Sequence, residues 1–406
     1  MKQHTTCRVC GNTLIPYIDL GMMPLSNNLS ISGGSYAPKY PLEVLFCECC
    51  GLSQLSVVVE PETLFSNYVY RSSVSKGYVD HCRQMAYDLQ SKYQLTEQSL
   101  VIDIAGNDGA LLQEFEEVIG CKVLNVDPAK NLAKICLEKR IPMITEFWSL
   151  EVVKGIRSSY GYADIITATN VFAHVDDVRG FIEACKHALN PNGVLVLEFP
   201  YLVDFIEGGE FDTIYFEHLS YFSIRPIALL CKQVGLNILN VEKQNIHGGS
   251  VRVTIGRGIR GANVSEYIRN EREHYGTIER YNQFAKDAYR TIENFKSQIL
   301  SLDGTVAGFA ASAKGNILLN SAGITKEISY IIDQTPEKIG MFSPGTGIPI
   351  RDIDELITNP TDYLVILSWN FAEEIMNKCL EAGFKGKFII PIPEFQIIDS
   401  LYKATA

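Results

Sequence analysis

The densest chemistry in this sequence lies between Phe211 and Ser223, FDTIYFEHLSYFS, where Tyr215, Glu217 and His218 fall within four positions. A carboxylate beside an imidazole can raise its basicity and fix its tautomer, which makes His218 a candidate general base with Glu217 as its partner. The same residues also suit a loop packed by its aromatics with the charged pair on the surface. A second cluster pairs Cys7-Arg8-Val9-Cys10-Gly11 with Cys47-Glu48-Cys49-Cys50-Gly51. Two CxxC turns facing each other put four thiolates at the corners of a tetrahedron, so Cys7, Cys10, Cys47 and Cys50 are expected to hold one structural zinc ion. Cys49 could stand in for a neighbour, although Cys50 restores the spacing. The gap between the pairs exceeds the usual one, so residues 17–42 are expected to loop out. A third set, Ser312, Lys314 and Asn316, lies in a small-residue turn that opens a helix and forms a ready anion site. The Walker spacing is missing.

These groups need elements to position them. The run Leu100 to Ile104 is short, apolar and rich in β-branched residues, as a buried parallel strand is. It leads through Ala105, Gly106, Asn107, Asp108 and Gly109 into apolar residues at helical spacing. That is the first unit of a nucleotide-binding α/β sheet, with its ligand at the carboxyl end of the strand. GxGxxG is absent, so this is no obvious NAD site. About 20 residues past the turn a second strand ends in Asp127, followed by Pro128, where such folds keep an acid for the ribose. The pattern resembles the motifs of S-adenosylmethionine-dependent methyltransferases.

Further strands are expected at 163–168 and 194–199, and a helix from Ser75 to Tyr93. Asn170 and His174 follow the strand at 163–168, at the mouth of the cleft. Tyr68 and Tyr70 alternate ahead of the first helix and could point into that cleft or pack as core. A long amphipathic helix is expected from about Val264 to Leu302, then a second α/β unit with strands at 306–309, 328–333, 363–368 and 387–390.

Composition narrows the class. Hydrophobic residues make up 46% and charged residues 20% of the 406, as in ordinary globular proteins. A net charge of −11 argues against a nucleic-acid partner. No apolar run reaches the roughly 20 residues that span a bilayer, and MKQHTTC is no signal peptide, so a cytoplasmic protein with no membrane partner is expected. The 11 cysteines then read as reduced thiols or metal ligands. A monomer of three domains is expected: zinc-binding at 1–65, methyltransferase at 66–256, and a Rossmann-like α/β domain at 257–406.

Taken in order, CxxC…CxxC, YVYRSS, DIAGNDGALL, VDPAKNLA, NVFAHVDD, YFEHLSYFS, GFAASAKGN and SPGTGIPI resemble the sugar C-methyltransferases that methylate C3 of nucleotide-linked 4-keto-deoxysugars. The resemblance covers nearly the whole chain. It implies that Asp103, Ala105, Gly106, Asn107, Asp127 and Pro128 line the S-adenosylmethionine site. It implies sugar-side roles for Tyr70, Asn170, His174, Tyr215, Glu217 and His218, and a grip on the nucleotide diphosphate by Ser312, Lys314 and Asn316. Two positions depart from the family pattern. Gly347 stands where PGTHIPI usually has histidine, and Asp127 where glutamate is common. The rival readings are an O- or N-methyltransferase of a small metabolite, a nucleotide-sugar oxidoreductase, and a non-enzymatic zinc-ribbon scaffold that binds nucleotides.

Overall fold

The computed structural model describes residues 1–33, 37–65, 71–246 and 249–400; Tyr68 and Tyr70 lie outside them. At its centre is a seven-stranded sheet. Its order across the sheet is Asn237–Gln244, Ser250–Gly256, Leu189–Pro200, Ala163–Thr169, Leu100–Ile104, Lys122–Val126 and Met143–Ile144. The last five run parallel, and Ser250–Gly256 pairs antiparallel with both its neighbours. Every residue of Leu100–Ile104 is buried, because helices cover both faces of the sheet. The first helix spans Lys76–Tyr93, with the Ser75 hydroxyl accepting from the Tyr78 amide as its cap.

A six-stranded sheet repeats the theme near the end of the chain: Ile350–Arg351, Ile331–Ile332, Val306–Phe309, Tyr363–Ile366, Lys387–Ile390, and Gln396–Asp399 antiparallel at the edge. The two sheets share their turn construction. Ala105 follows Leu100–Ile104 with φ 52°, and Ala310 follows Val306–Phe309 with φ 75°. The Ala105 amide donates to Val126 and the Ala310 amide to Ile332, in each case the last residue of the neighbouring strand.

The segment expected to loop out between the cysteine pairs forms strands instead. Ile15–Pro24 and Lys39–Phe46 pair antiparallel, and Ser53–Leu55 adds a third strand. Alternation along these strands buries Ile18, Leu20, Val44 and Phe46, and that buried face outweighs the length of the gap. The fourth strand is Ser220–Tyr221, from the other side of the sequence, which pairs with Ser53–Leu55. The YFEH segment is therefore stitched to the zinc-binding sheet.

The single long helix expected over Val264 to Leu302 is two helices, Val264–Tyr275 and Ile278–Ser301. Gly276 weakens the helix and Thr277 is extended at φ −124°, ψ 158°, which lets the second helix turn. Its face of Tyr281, Phe284, Ala288, Ile292 and Phe295 is buried, and Tyr281 stacks on Phe46 with ring centroids 3.9 Å apart. No helix among the described residues is long and apolar enough to cross a membrane.

Candidate active site

The cofactor cleft opens at the carboxyl end of Leu100–Ile104. It is lined by Ser72, Tyr78, Asp103, Ala105, Gly106, Ala110, Leu111 and Thr169. Asp103 is buried in its wall and accepts from the Thr167 hydroxyl at 2.6 Å. Burial pushes this carboxyl up to about 7, against the pull of the Thr167 bond and with a further push from Asp127. Gly106 makes room here, since a Cβ would stand 2.7 Å from Asp103 Oδ2 and 2.8 Å from Asn125 Oδ1 and would force one of these buried side chains to move. Asp127 is buried where its strand ends; it accepts from the Asn107 amide at 2.9 Å and the Ala129 amide at 2.8 Å. Its carboxyl is raised by burial, with those two amides pulling the other way. Pro128 sits between Asp127 and Ala129 in this turn. Ala105 and Asn107 both hold positive φ, at 52° and 53°, a strain typical of a loop built around a ligand.

Elsewhere three aromatic side chains, His174, His218 and Tyr215, meet. The rings of His174 and His218 lie 5.2 Å apart, and those of Tyr215 and His218 4.1 Å apart. His218 Nδ1 is 3.0 Å from the Thr213 carbonyl, which can only accept, so the neutral ring carries its proton there. Nε2 is left as an acceptor, 2.8 Å from the Tyr215 hydroxyl. Orientation of His218 thus comes from a backbone carbonyl, not from Glu217 as expected. Glu217 is buried and accepts from Asn27 Nδ2 at 2.6 Å, a residue of the N-terminal region. Adjacency in sequence does not bring its carboxylate to the imidazole, because the segment turns between them, with the His218 amide bonded to the Tyr215 carbonyl. His174 ends a short turn, Phe172–His174, stacked against Phe65 at 5.5 Å. Burial alone drives its imidazole down to about 4. Asn170 has φ 56° and its amide donates to the Glu198 carbonyl; its side-chain Oδ1 is buried with no hydrogen-bond partner among the described residues.

The second helix start is built differently from a phosphate cradle. Ser312 caps Ala313–Ala322, its hydroxyl accepting from the Gly315 amide at 3.1 Å. Asn316 is buried and donates to Ser343 Oγ and the Pro344 carbonyl, tying the helix to the SPGTGIPI loop. Lys314, expected on a diphosphate, is instead 2.9 Å from Glu210 Oε2 and 3.9 Å from Asp212 Oδ1. Carboxylates supplied by a distant part of the chain have taken the ammonium.

The four expected cysteines converge, with their sulfurs all within 4.8 Å of one another. Cys7 and Cys50 are 3.5 Å apart and Cys10 and Cys47 3.4 Å, close to the roughly 3.8 Å edge of a tetrahedron with Zn–S near 2.3 Å. Gly11 and Gly51 close the two knuckles at φ 74° and 83°, donating to the Cys7 and Cys47 carbonyls. Cys49 is exposed and stands outside the four.

Sequence reading missed the residues that join segments. Arg8, between two zinc ligands, has its side chain 1% exposed; it donates from Nη1 to the Leu219 carbonyl at 2.8 Å and pairs through Nε with Asp176 at 2.9 Å. One arginine thus fastens the turns that carry His218 and His174. Glu198 is buried at the carboxyl end of its strand between His81 at 2.6 Å and Arg252 at 2.9 Å. Burial would raise its carboxyl, but those two partners together hold it low. A glutamate inside an apolar strand, VLVLEF, was the available signal.

A seven-stranded sheet with a reversed strand, a strained turn and a ribose-type acid define a nucleotide-cofactor enzyme, and the zinc knuckles narrow it further. Three family models match in series: a zinc binding domain over residues 7–65, a methyltransferase domain over 83–241, and the C-methyltransferase C-terminal domain over 245–393. The C-methyltransferase NovU of Streptomyces niveus is 34% identical over 412 residues, covering 97% of either chain. The chain belongs to the C-methyltransferases, zinc-binding enzymes that use S-adenosylmethionine. Solved structures are more distant. Magnesium protoporphyrin IX methyltransferase ChlM from Synechocystis PCC 6803 with bound SAM is 13% identical, covers 45% of this chain and 80% of its own, and gives a TM-score of 0.34. The mitomycin 7-O-methyltransferase MmcR is 16% identical over 46% of this chain and 56% of its own, with a TM-score of 0.35.

Proposed function

We propose that this C-methyltransferase adds a methyl group to C3 of a nucleotide-linked 4-keto-deoxysugar, with His218 as the base. The observation that carries the reading is the tautomer of His218: with Nδ1 donating to the Thr213 carbonyl, the Nε2 lone pair faces the Tyr215 hydroxyl. A hydrogen next to a ketone is acidic enough for such a base when donors stabilise the enolate oxygen. Nε2 takes the C3 proton as the C–H electron pair moves into the enolate, whose oxygen is met by Tyr215. Asp103, Gly106, Asn107 and Asp127 would hold S-adenosylmethionine, which would supply the electrophilic methyl for the enolate carbon.

His174 fits a different task. An imidazole held down to about 4 by burial stays neutral and is a weak base, better suited to hold the substrate than to take a carbon-bound proton. Tyr70 is proposed on the sugar side from the family pattern alone. The nucleotide end is assigned to the SPGTGIPI loop and the helix that Ser312 caps, joined by Asn316. The enzyme is proposed to act as a monomer on a free sugar nucleotide in the cytoplasm.

Proton exchange tests the assignment. With S-adenosylhomocysteine bound in D2O, so that methyl transfer cannot occur, the wild type is expected to exchange the C3 hydrogen of one member of a dTDP-, GDP- and CDP-linked panel. His218→Asn should abolish exchange and methylation alike and still bind the sugar nucleotide. Exchange that survives in His218→Asn but fails in His174→Asn would reverse the two roles. An O- or N-methyltransferase would show no C3 exchange at all.

A further inference from the structure

Lys314 begins the first helix of the C-terminal sheet, yet its partners lie in the methyltransferase domain. Its ammonium is 2.9 Å from Glu210 Oε2 and 3.9 Å from Asp212 Oδ1, and 4.8 Å from the centre of the Trp369 ring. Trp369 Nε1 in turn donates to Asp212 Oδ2 at 2.7 Å. The Glu210 and Asp212 side chains are 8% and 1% exposed, and that of Lys314 17%. Two buried carboxylates therefore share one ammonium. Burial pushes both carboxyls up, and the Lys314 ammonium is the main pull against that rise. A phosphate brought to this lysine would meet a cluster in which carboxylates already outnumber the cation.

Glu210 precedes and Asp212 lies inside the turn Phe211–Thr213, which is closed by the Thr213 amide donating to the Glu210 carbonyl at 2.9 Å. That turn delivers the Thr213 carbonyl to His218 Nδ1 at 3.0 Å. We propose that Lys314 is a positioning residue for the base: its ion pair with Glu210 and Asp212 holds the Thr213 carbonyl against His218, keeping the proton on Nδ1 and Nε2 as the acceptor that faces Tyr215. The inference deepens the reading of His218 as base and rests on it. It gives the C-terminal domain a hand in the proton transfer, beyond holding the nucleotide.

The test uses the full-length enzyme with histidine labelled at its ring nitrogens, the His218 signal being assigned by its loss in His218→Asn. Wild type is expected to show the Nδ1–H tautomer at His218. In Lys314→Met the signal should move toward the Nε2–H form that free imidazole prefers, with kcat down about 10-fold or more and KM for the sugar nucleotide little changed. Lys314→Arg, which keeps the cation, should restore most of both. If Lys314→Met does not fold, Trp369→Phe removes one hold on Asp212 and should shift the same signal in part. An unchanged tautomer with a raised KM would put Lys314 on the phosphate and overturn the proposal. A lower melting temperature with tautomer, kcat and KM all unchanged would overturn it too, leaving a plain interdomain ion pair. The tautomer is read without turnover, so a failure of His218 as base, seen as surviving C3 exchange in His218→Asn, stays separate from a failure of this proposal.

Discussion

At Asp103 the proposed cofactor contact makes a pH dependence expected. Its carboxyl is buried beside Thr167 and pushed up to about 7. S-adenosylmethionine carries a sulfonium charge, which favours the ionised carboxylate. In the proposed placement, binding therefore releases a proton at neutral pH. Affinity should rise with pH, at most about tenfold per unit below the folded pKa, and level off above it. Calorimetry in two buffers of different ionisation heat would show the released proton, and Asp103→Asn should flatten the profile. An affinity independent of pH in the wild type would refute the linkage. The sign for the unliganded fold is opposite. A folded pKa above the unfolded value of about 3.9 means this group's stabilising contribution is complete at low pH and fades as pH climbs toward 7.

Among the elements, the zinc knuckle does more than close a metal site. Arg8 projects from between Cys7 and Cys10 to the Leu219 carbonyl and to Asp176, so the knuckle reaches the segments whose histidine rings lie 5.2 Å apart. Arg8→Met keeps the volume and removes the donors. The variant should lose about 1–2 kcal/mol of stability by denaturant titration, since the buried guanidinium's bonds go while the Leu219 carbonyl keeps the Leu55 amide and Asp176 keeps Lys2 and His4. It should also lose activity at temperatures where it is still folded, because the His174 and His218 turns are then held less closely. Full activity in folded Arg8→Met would limit the arginine to a stabilising role.

For the molecule as a whole, the zinc sheet, the seven-stranded sheet and the C-terminal sheet all reach the segment around His218. Ser220–Tyr221 is a strand of the zinc sheet, Asn27 of the N-terminal region holds Glu217, and Lys314 of the C-terminal domain holds the turn before His218. Removing the metal should therefore abolish catalysis although four cysteines leave the zinc no open position for substrate. Chelator treatment is expected to release one zinc ion per chain and to lower activity in proportion. Cys47→Ser should bind less zinc and unfold earlier, since metal binding and folding share their free energy in such sites. A metal-free enzyme with unchanged kcat and melting behaviour would contradict this.

What sequence alone determined about this protein are the features that depend on near neighbours. A β-branched run, a small-residue turn and a strand-ending acid form a βα unit whatever surrounds them, so Asp103, Gly106 and Asp127 could be placed on a cofactor sheet. Paired CxxC turns carry their own geometry, so the zinc ligands could be named. Contacts between distant segments were not legible there. Glu217 and His218 are adjacent in the chain, yet the carboxylate bonds to Asn27 and the imidazole to Thr213. Lys314 lies in an anion-type turn, yet pairs with an acid 104 positions away. Spacing along a chain says which groups can meet on one element. Which carboxylate reaches a buried ammonium or imidazole is decided by packing, because only the folded core fixes where each desolvated charge finds its partner.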